Sequence, residues 1–287
     1  MISFELAEPR SLKSALKLID TEDPAVRAFG GCTALMLMMK TGVFQPSCLV
    51  SLRKVEKKHA ALAREDGGLR IGALATLSAL EQSMAVRRTA PVITRTLRTL
   101  SNVRVRNVAT LGGHLAHADP HMDLPPVLIS LGAELTAVCA GGERRLAVQD
   151  LFTGYYETAL AKSELISAVH VPAQAGWRSA YVKCTTRTAD DWPTLGIAVS
   201  LKTDGVLIED ARVVVSAATE KPLRMAQAEA VLRGATVNDA VFVSAGEAAA
   251  AEAETIGDAR GSAAYKRELL RVHAARALQQ ALSGGGD

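Results

Sequence analysis

The sequence predicts an α+β protein: a longer mixed region in two parts, then a smaller domain with an antiparallel sheet and helices. Three observations predict it. Strand and helix patterns alternate from the N-terminus to about residue 172. A Pro/Gly-containing break, "VPAQAGW" (Val171 to Trp177), then precedes three β-rich runs in succession. From Arg224 onward the pattern is helical and Ala-rich, so sheet comes first and helices afterwards. With 287 residues, 48% hydrophobic and 22% charged, the chain can bury a substantial core.

The opening reads strand, helix, strand, helix. "SLKSALKLID" puts Leu12, Ala15, Leu16 and Ile19 on one helical face. "AVRAF" (Ala25 to Phe29) reads as a short buried strand ending at Gly30-Gly31, and a Met- and Leu-rich helix, about Ala34 to Lys40, follows. A second part starts near Val55. There "LRIGALA" is a strand candidate, and Thr76 can cap the helix "LSALEQS". Pro91 suits the first turn of a further helix whose Ile93, Leu97 and Leu100 share a face. Leu124, Val127, Leu128 and Leu131 mark a short helix that Gly132 can end. "AELTAV" alternates as a strand should, with Gly141-Gly142 as its turn. In the last region "SAYVKCT", "LGIAVSLK" and "VLIEDARVVVSAAT" are the β-rich runs, the latter two separated by the hairpin signal Asp204-Gly205. Tyr265, Leu269 and Val272 align along the final helix. The only low-complexity stretch is the terminal "GGGD".

Composition excludes several classes. A net charge of +3 implies no nucleic-acid face, and the densest basic stretch, "RTLRTLSNVRVR", reads as a solvated helix face plus loop. Cys32, Cys48, Cys139 and Cys184 have no C-x-x-C spacing, which argues against an iron–sulfur cluster or structural zinc on this chain. With no signal-like start and no apolar run long enough to span a bilayer, free thiols and a cytoplasmic setting are expected.

"TLGGHLAHADPHMD" (Thr110 to Asp123) holds the densest chemistry. Its His114, His117, His121, Asp119 and Asp123 are metal-ligand types, so a metal-dependent enzyme built on the three histidines is one reading. Pro120, Pro125 and Pro126 oppose the continuous helix that would make them converge, and no metal site is expected. The glycines offer another reading. Gly30-Gly31 and Gly112-Gly113 permit positive φ and close approach of backbone N–H groups to an anion. Two such loops can clasp a diphosphate from opposite sides, with hydroxyls from Thr33 and Thr110. Neither loop fits a Rossmann or P-loop pattern, nor is there a nucleophile elbow.

Here a family resemblance enters. "FGGCTALMLMMKTG" resembles the first flavin-binding loop of the FAD-binding medium subunits of molybdenum hydroxylases, the carbon monoxide dehydrogenase, xanthine dehydrogenase and aldehyde oxidase family. "VRNVATLGGHLAHADPHMDLPPVLISLGAEL" is similar to that family's second loop. "AYVKCTTRTADDWPTLGIAVSL" and "GSAAYKRELLRVHAARAL" are similar to characteristic stretches of its C-terminal half.

The resemblance implies a two-subdomain FAD-binding domain of the molybdopterin-dehydrogenase, vanillyl-alcohol-oxidase-like type, over residues 1–172 (subdomains about 1–54 and 55–172), and a C-terminal flavoprotein domain over 177–287. It implies that Phe29, Gly30, Gly31, Cys32 and Thr33 wrap the FAD pyrophosphate, with Thr110, Leu111, Gly112, Gly113, His114 and Ala116 on its other side. Asp123 would meet the polar part of the cofactor, Lys183 would lie near the flavin ring, and Leu100 and Ile166 complete the set. Trp192 falls where relatives face the isoalloxazine, as a wall that excludes solvent or gates the acceptor. His114 replaces a common asparagine, Ala109 a glycine, and Cys32 stands where Thr, Gln or His is usual. The implied function is electron transfer through FAD to NAD, a quinone or oxygen. Molybdopterin would sit on a large partner and [2Fe–2S] clusters on a small one, in a dimer of heterotrimers. A non-catalytic assembly subunit that has lost FAD is the remaining alternative.

Overall fold

Three larger sheets, beside a two-stranded one at Phe152–Gly154 and Glu157–Thr158, divide the chain in the computed structural model, which describes residues 3–284. Residues 285–287 of the terminal glycine run lie outside the described residues. The first sheet is parallel, with Cys48–Ser51 between Glu5–Ala7 and Val26–Phe29. Helix Leu12–Ile19 starts because Ser11 Oγ accepts from the Ser14 N–H (3.1 Å), a cap contributing about 1 kcal/mol. It buries Ala15, Leu16 and Ile19 against Val50 and Leu52. Val26–Phe29 is an edge strand and only half-buried, unlike the buried strand its apolar residues predict. Its outer side is one wall of the cavity described below.

The second sheet is antiparallel, in the order Leu62–Glu65, Gly68–Gly72, Leu165–Val171, Glu134–Cys139, Gly142–Ala147. Leu165–Val171 is its central strand, paired on both sides with segments distant in sequence. Glu134–Cys139 lies next to that centre, so it buries Leu135, Thr136 and Ala137 in succession rather than alternating. Helices Leu77–Gln82, Pro91–Thr99 and Leu124–Ser130 pack a core around Leu77, Ile93, Leu97 and Leu128. Each such buried leucine or isoleucine contributes about 1.5–3 kcal/mol. Two arginines of the basic stretch are structural ties, not solvated charges: Arg95 donates to Ser179 O (2.9 Å), and Arg106 to Glu81 (2.8 Å) and Ser101 O (2.6 Å).

The third sheet runs Trp177–Cys184, Leu195–Thr203, Ile208–Ser216, Leu223–Arg224, antiparallel throughout. Leu195, Ile197, Val199 and Leu201 face helices Ala226–Leu232, Asp239–Glu252 and Ala263–Leu282. Ala198 and Val214 face the other way, into the core of the second subdomain. The last helix buries Lys266, Leu270, Ala274, Ala277, Leu278 and Ala281, while Tyr265 is half-exposed. The face predicted from Tyr265, Leu269 and Val272 is therefore the flank. Alanines alternate there with Leu270 and Leu278, so the helix lies close to its neighbours and Tyr265 is left at the edge.

Besides the Arg95 tie to Ser179 O, two ties at carboxylates cross the seam between the first two subdomains and the third. Asp123 accepts from Tyr181 Oη (2.7 Å) and from Lys183 Nζ (3.1 Å), and Lys183 also donates to Thr99 O (2.9 Å). Burial pushes the Asp123 carboxyl up, with Lys183 and Tyr181 opposing. The second tie joins His121 Nε2 to Asp258 Oδ2 (3.0 Å). The buried Lys266 ammonium also holds Asp258 (2.9 Å) and donates to Ala217 O (2.8 Å).

Burial works to raise the Asp258 carboxyl, but Lys266 and His121 outweigh it and hold it at about 2, against an ordinary 3.8. A carboxyl whose folded value is depressed contributes stability above its unfolded value and loses it as pH falls through the folded one. We therefore expect unfolding free energy, measured in urea, to decline as pH drops from about 4 to about 2. Asp258→Asn should flatten that decline; an unchanged slope would refute the pairing.

Candidate functional site

The two glycine turns meet. A Cβ on Gly30 would lie 2.4 Å from Thr110 Oγ1, and one on Gly31 would lie 2.2 Å from Val108 O. No side chain fits between these backbones. Neither glycine pair has positive φ; the left-handed residue is Cys32, at φ +61°. Close approach, not conformational freedom, is what the glycines supply. The second turn is held from behind by Leu77 N–H to Ala109 O (2.9 Å), Leu111 N–H to Ala75 O (3.0 Å) and Gly112 N–H to Ala73 O (2.8 Å). A Cβ on Gly112 would lie 2.7 Å from Ala73 Cβ, so that glycine belongs to the packing. Gly113 is exposed, and only Thr110 Oγ1, at 3.0 Å, would lie near its Cβ.

A cavity of about 410 Å³ opens over this junction, between the first sheet and the second subdomain. Phe29, Gly30, Gly31, Cys32 and Thr33 line one side. Thr110, Gly112, Gly113, His114 and Ala116 line the other, with Ile166 beyond. Helix Thr33–Lys40 begins at this wall, and its Cys32 cap makes no side-chain hydrogen bond. The Thr33, Ala34 and Leu35 N–H groups have no intrahelical acceptor, a helix end suited to an anion. Thr110 Oγ1 already accepts from the Gly113 N–H (3.2 Å) as the cap of helix Leu111–Ala116. Burial pushes the Cys32 thiol up, so it is a packed thiol rather than a thiolate.

His114 is the most informative wall residue. It is 8% exposed, and burial pushes its imidazole down to about 3, so it is neutral at physiological pH. Its Nε2 is buried with no hydrogen-bond partner. Leaving such an atom unpaired costs about 1–3 kcal/mol. Among the described residues it is the one such side-chain atom on the cavity wall. An unpaired donor or acceptor, a helix end without a side-chain cap and a glycine with open space in front fit a polar, anionic cofactor lying across the turns.

The other expected residues lie elsewhere. Leu111 is fully buried in the core, and Leu100, 5% exposed, adjoins the Thr99 carbonyl that Lys183 reaches. Asp123 and Lys183 are not on the wall, and both Asp123 oxygens are engaged at the domain seam. Trp192, 40% exposed, stacks on His121 at 5.5 Å between centroids. Several wall residues were not foreseen: Arg27, which lies 5.5 Å over the Phe44 ring, and Lys162, which donates to Thr21 O across the mouth. His117 and Tyr156 also contribute, their rings in edge contact at 5.2 Å. Arg27, Lys162 and Tyr156 carry no motif, because each reaches the wall from a different segment, whereas His117 belongs to the Thr110–Asp123 stretch. Among the described residues no three His, Cys, Asp or Glu side chains group as a metal ion would require. Nor is any helix long and apolar enough to cross a membrane.

Comparison with known proteins agrees with this geometry. Residues 2–174 match the FAD binding domain in molybdopterin dehydrogenase, and residues 180–281 match the CO dehydrogenase flavoprotein C-terminal domain. The chain is 32% identical to the nicotine 6-hydroxylase medium subunit of Paenarthrobacter nicotinovorans, covering 97% of each. It is 28% identical to the glyceraldehyde dehydrogenase medium chain of Sulfolobus acidocaldarius, over 96% of this chain and 98% of that one. A solved carbon monoxide dehydrogenase structure from Hydrogenophaga pseudoflava superposes with a TM-score of 0.94 at 30% identity, covering 99% of both chains.

The two glycines of the second turn should separate in mutagenesis. Gly113→Val should change unfolding free energy by under about 1 kcal/mol yet weaken FAD binding at least about tenfold. Gly112→Val should destabilise the fold itself by about 1–3 kcal/mol. Urea unfolding and FAD titration measure the two, and equal effects on both would refute the distinction.

Proposed function

Because this chain belongs to the FAD-binding family of molybdopterin dehydrogenases, we propose that it is the electron-transfer flavoprotein subunit of a heteromeric molybdenum hydroxylase. In this reading it carries electrons between [2Fe–2S] clusters on a small partner subunit and an external acceptor: NAD, a quinone or oxygen. Substrate oxidation belongs to a large molybdopterin-binding partner, and the complex is a cytoplasmic dimer of heterotrimers. The observation that carries the reading is the paired glycine turns facing one cavity beside the unpaired His114.

FAD supplies the redox chemistry when bound, and the chain supplies binding, orientation and electrostatics. The Thr33, Ala34 and Leu35 N–H groups would hold the diphosphate, and the Gly113 face leaves room for it. Arg27 and Lys162 add positive charge at the mouth. His114, neutral, would hydrogen-bond the cofactor through Nε2 and resist protonation on acidification. Phe29 and Ile166 are apolar walls that exclude water. Asp123 and Lys183 would keep the third domain seated on the first two, closing the flavin end.

Affinity purification of the tagged chain from its native host tests this. The expected result is one FAD per chain, released on acid precipitation, with a larger molybdopterin subunit and a smaller iron–sulfur subunit. A chain that purifies with neither flavin nor such partners would contradict it.

A further inference from the structure

A chain of polar and charged groups, buried except at Asp258, crosses the seam beside the cavity, and cofactor binding does not account for it. Asp119, 1% exposed, accepts from the His121 backbone N–H (2.8 Å), from Tyr156 Oη (2.7 Å) and, through Oδ1, pairs with His121 Nδ1 (2.9 Å). His121 Nε2 lies 3.0 Å from Asp258 Oδ2, which Lys266 also holds. Both ring nitrogens of His121 therefore face carboxylate oxygens.

An ionised carboxylate only accepts, so each of these contacts requires a proton on the imidazole. Burial works to raise both acids, but hydrogen bonds outweigh it and hold both below the ordinary carboxylate range. The ring is held between two carboxylates, and Asp258 is held in turn by the Lys266 ammonium. The indole of Trp192 stacks on that ring with 19° between planes, and Arg260 covers the indole at 5.2 Å. Trp192 thus sits between the His121 ring and the Arg260 guanidinium.

The backbone around the chain is constrained in a corresponding way. Ala118, Tyr156 and Ala217 all adopt positive φ (52°, 59° and 63°). Tyr156 N–H donates to Ala118 O (3.2 Å), and Ala217 N–H donates to Pro120 O (2.9 Å). Such residues persist only where surrounding contacts over-determine them. The remaining titratable groups facing the chain are His117, 4.0 Å from Asp119, and Tyr155, in edge contact with Tyr156.

We propose that His121, held through both ring nitrogens between Asp119 and Asp258, is a positioning residue that locks the two domains together and fixes the Trp192 indole against its ring. Relevance to FAD rests on the proposed reading of the cavity; the lock itself does not.

The test needs no cofactor, so its failure is separate from failure of the flavin reading. In the full chain labelled with ¹⁵N-histidine, with His121→Gln used to assign the signals, the His121 ring-nitrogen signals should shift on Asp258→Asn and on Asp119→Asn; signals unmoved by either change would overturn the proposal. Trp177→Phe leaves Trp192 as the sole tryptophan. In that background His121→Gln should raise acrylamide quenching of Trp192 about twofold, whereas unchanged quenching would show that His121 does not position it.

Discussion

Everything at the cavity depends on two backbones touching without side chains between them. The 29–33 turn can approach the 108–113 turn only because Gly30 and Gly31 lack Cβ atoms; either would overlap Thr110 or Val108. That contact sets the distance between the first sheet and the second subdomain, and so the width of the cleft. Steric overlap of this size cannot be relieved by rotamer changes, because the obstructing atoms at Gly31 are main-chain. The constraint also places the helix start at Thr33 and the His114 imidazole on facing walls.

The seam with the third domain is a polar counterpart. Asp123 binds Tyr181 and Lys183, and His121 binds Asp258, so the third domain is docked through polar pairs as well as through Ala198 and Val214. Breaking a buried pair costs about 3–5 kcal/mol, more than most single apolar contacts contribute. The third domain is thereby held in fixed register against the first two subdomains.

Local signals in the sequence were legible. The Ser11 and Thr76 caps, Pro91 at the start of its helix and the Asp204-Gly205 connection all act within a few residues. What depends on distant partners was not. Leu165–Val171 is a central strand only because Gly68–Gly72 and Glu134–Cys139 flank it. Lys266 is buried because Ala217 O and Asp258 receive its protons, which no periodicity reveals in a helix otherwise read from Tyr265, Leu269 and Val272. The glycine turns stood out as motifs, and of the two reasons read from the sequence, positive φ is not observed, while close approach is, between the two turns themselves. Arg27, Lys162 and Tyr156 reach the wall individually and leave no pattern.

The central claim is that the paired glycine turns hold the diphosphate of FAD. Calorimetric titration of the assembled protein, stripped of flavin, with FAD and then with riboflavin tests it most directly. Riboflavin lacks the diphosphate, so the account predicts binding weaker by at least about a hundredfold, with ADP competing against FAD. Riboflavin binding within a few-fold of FAD would contradict it.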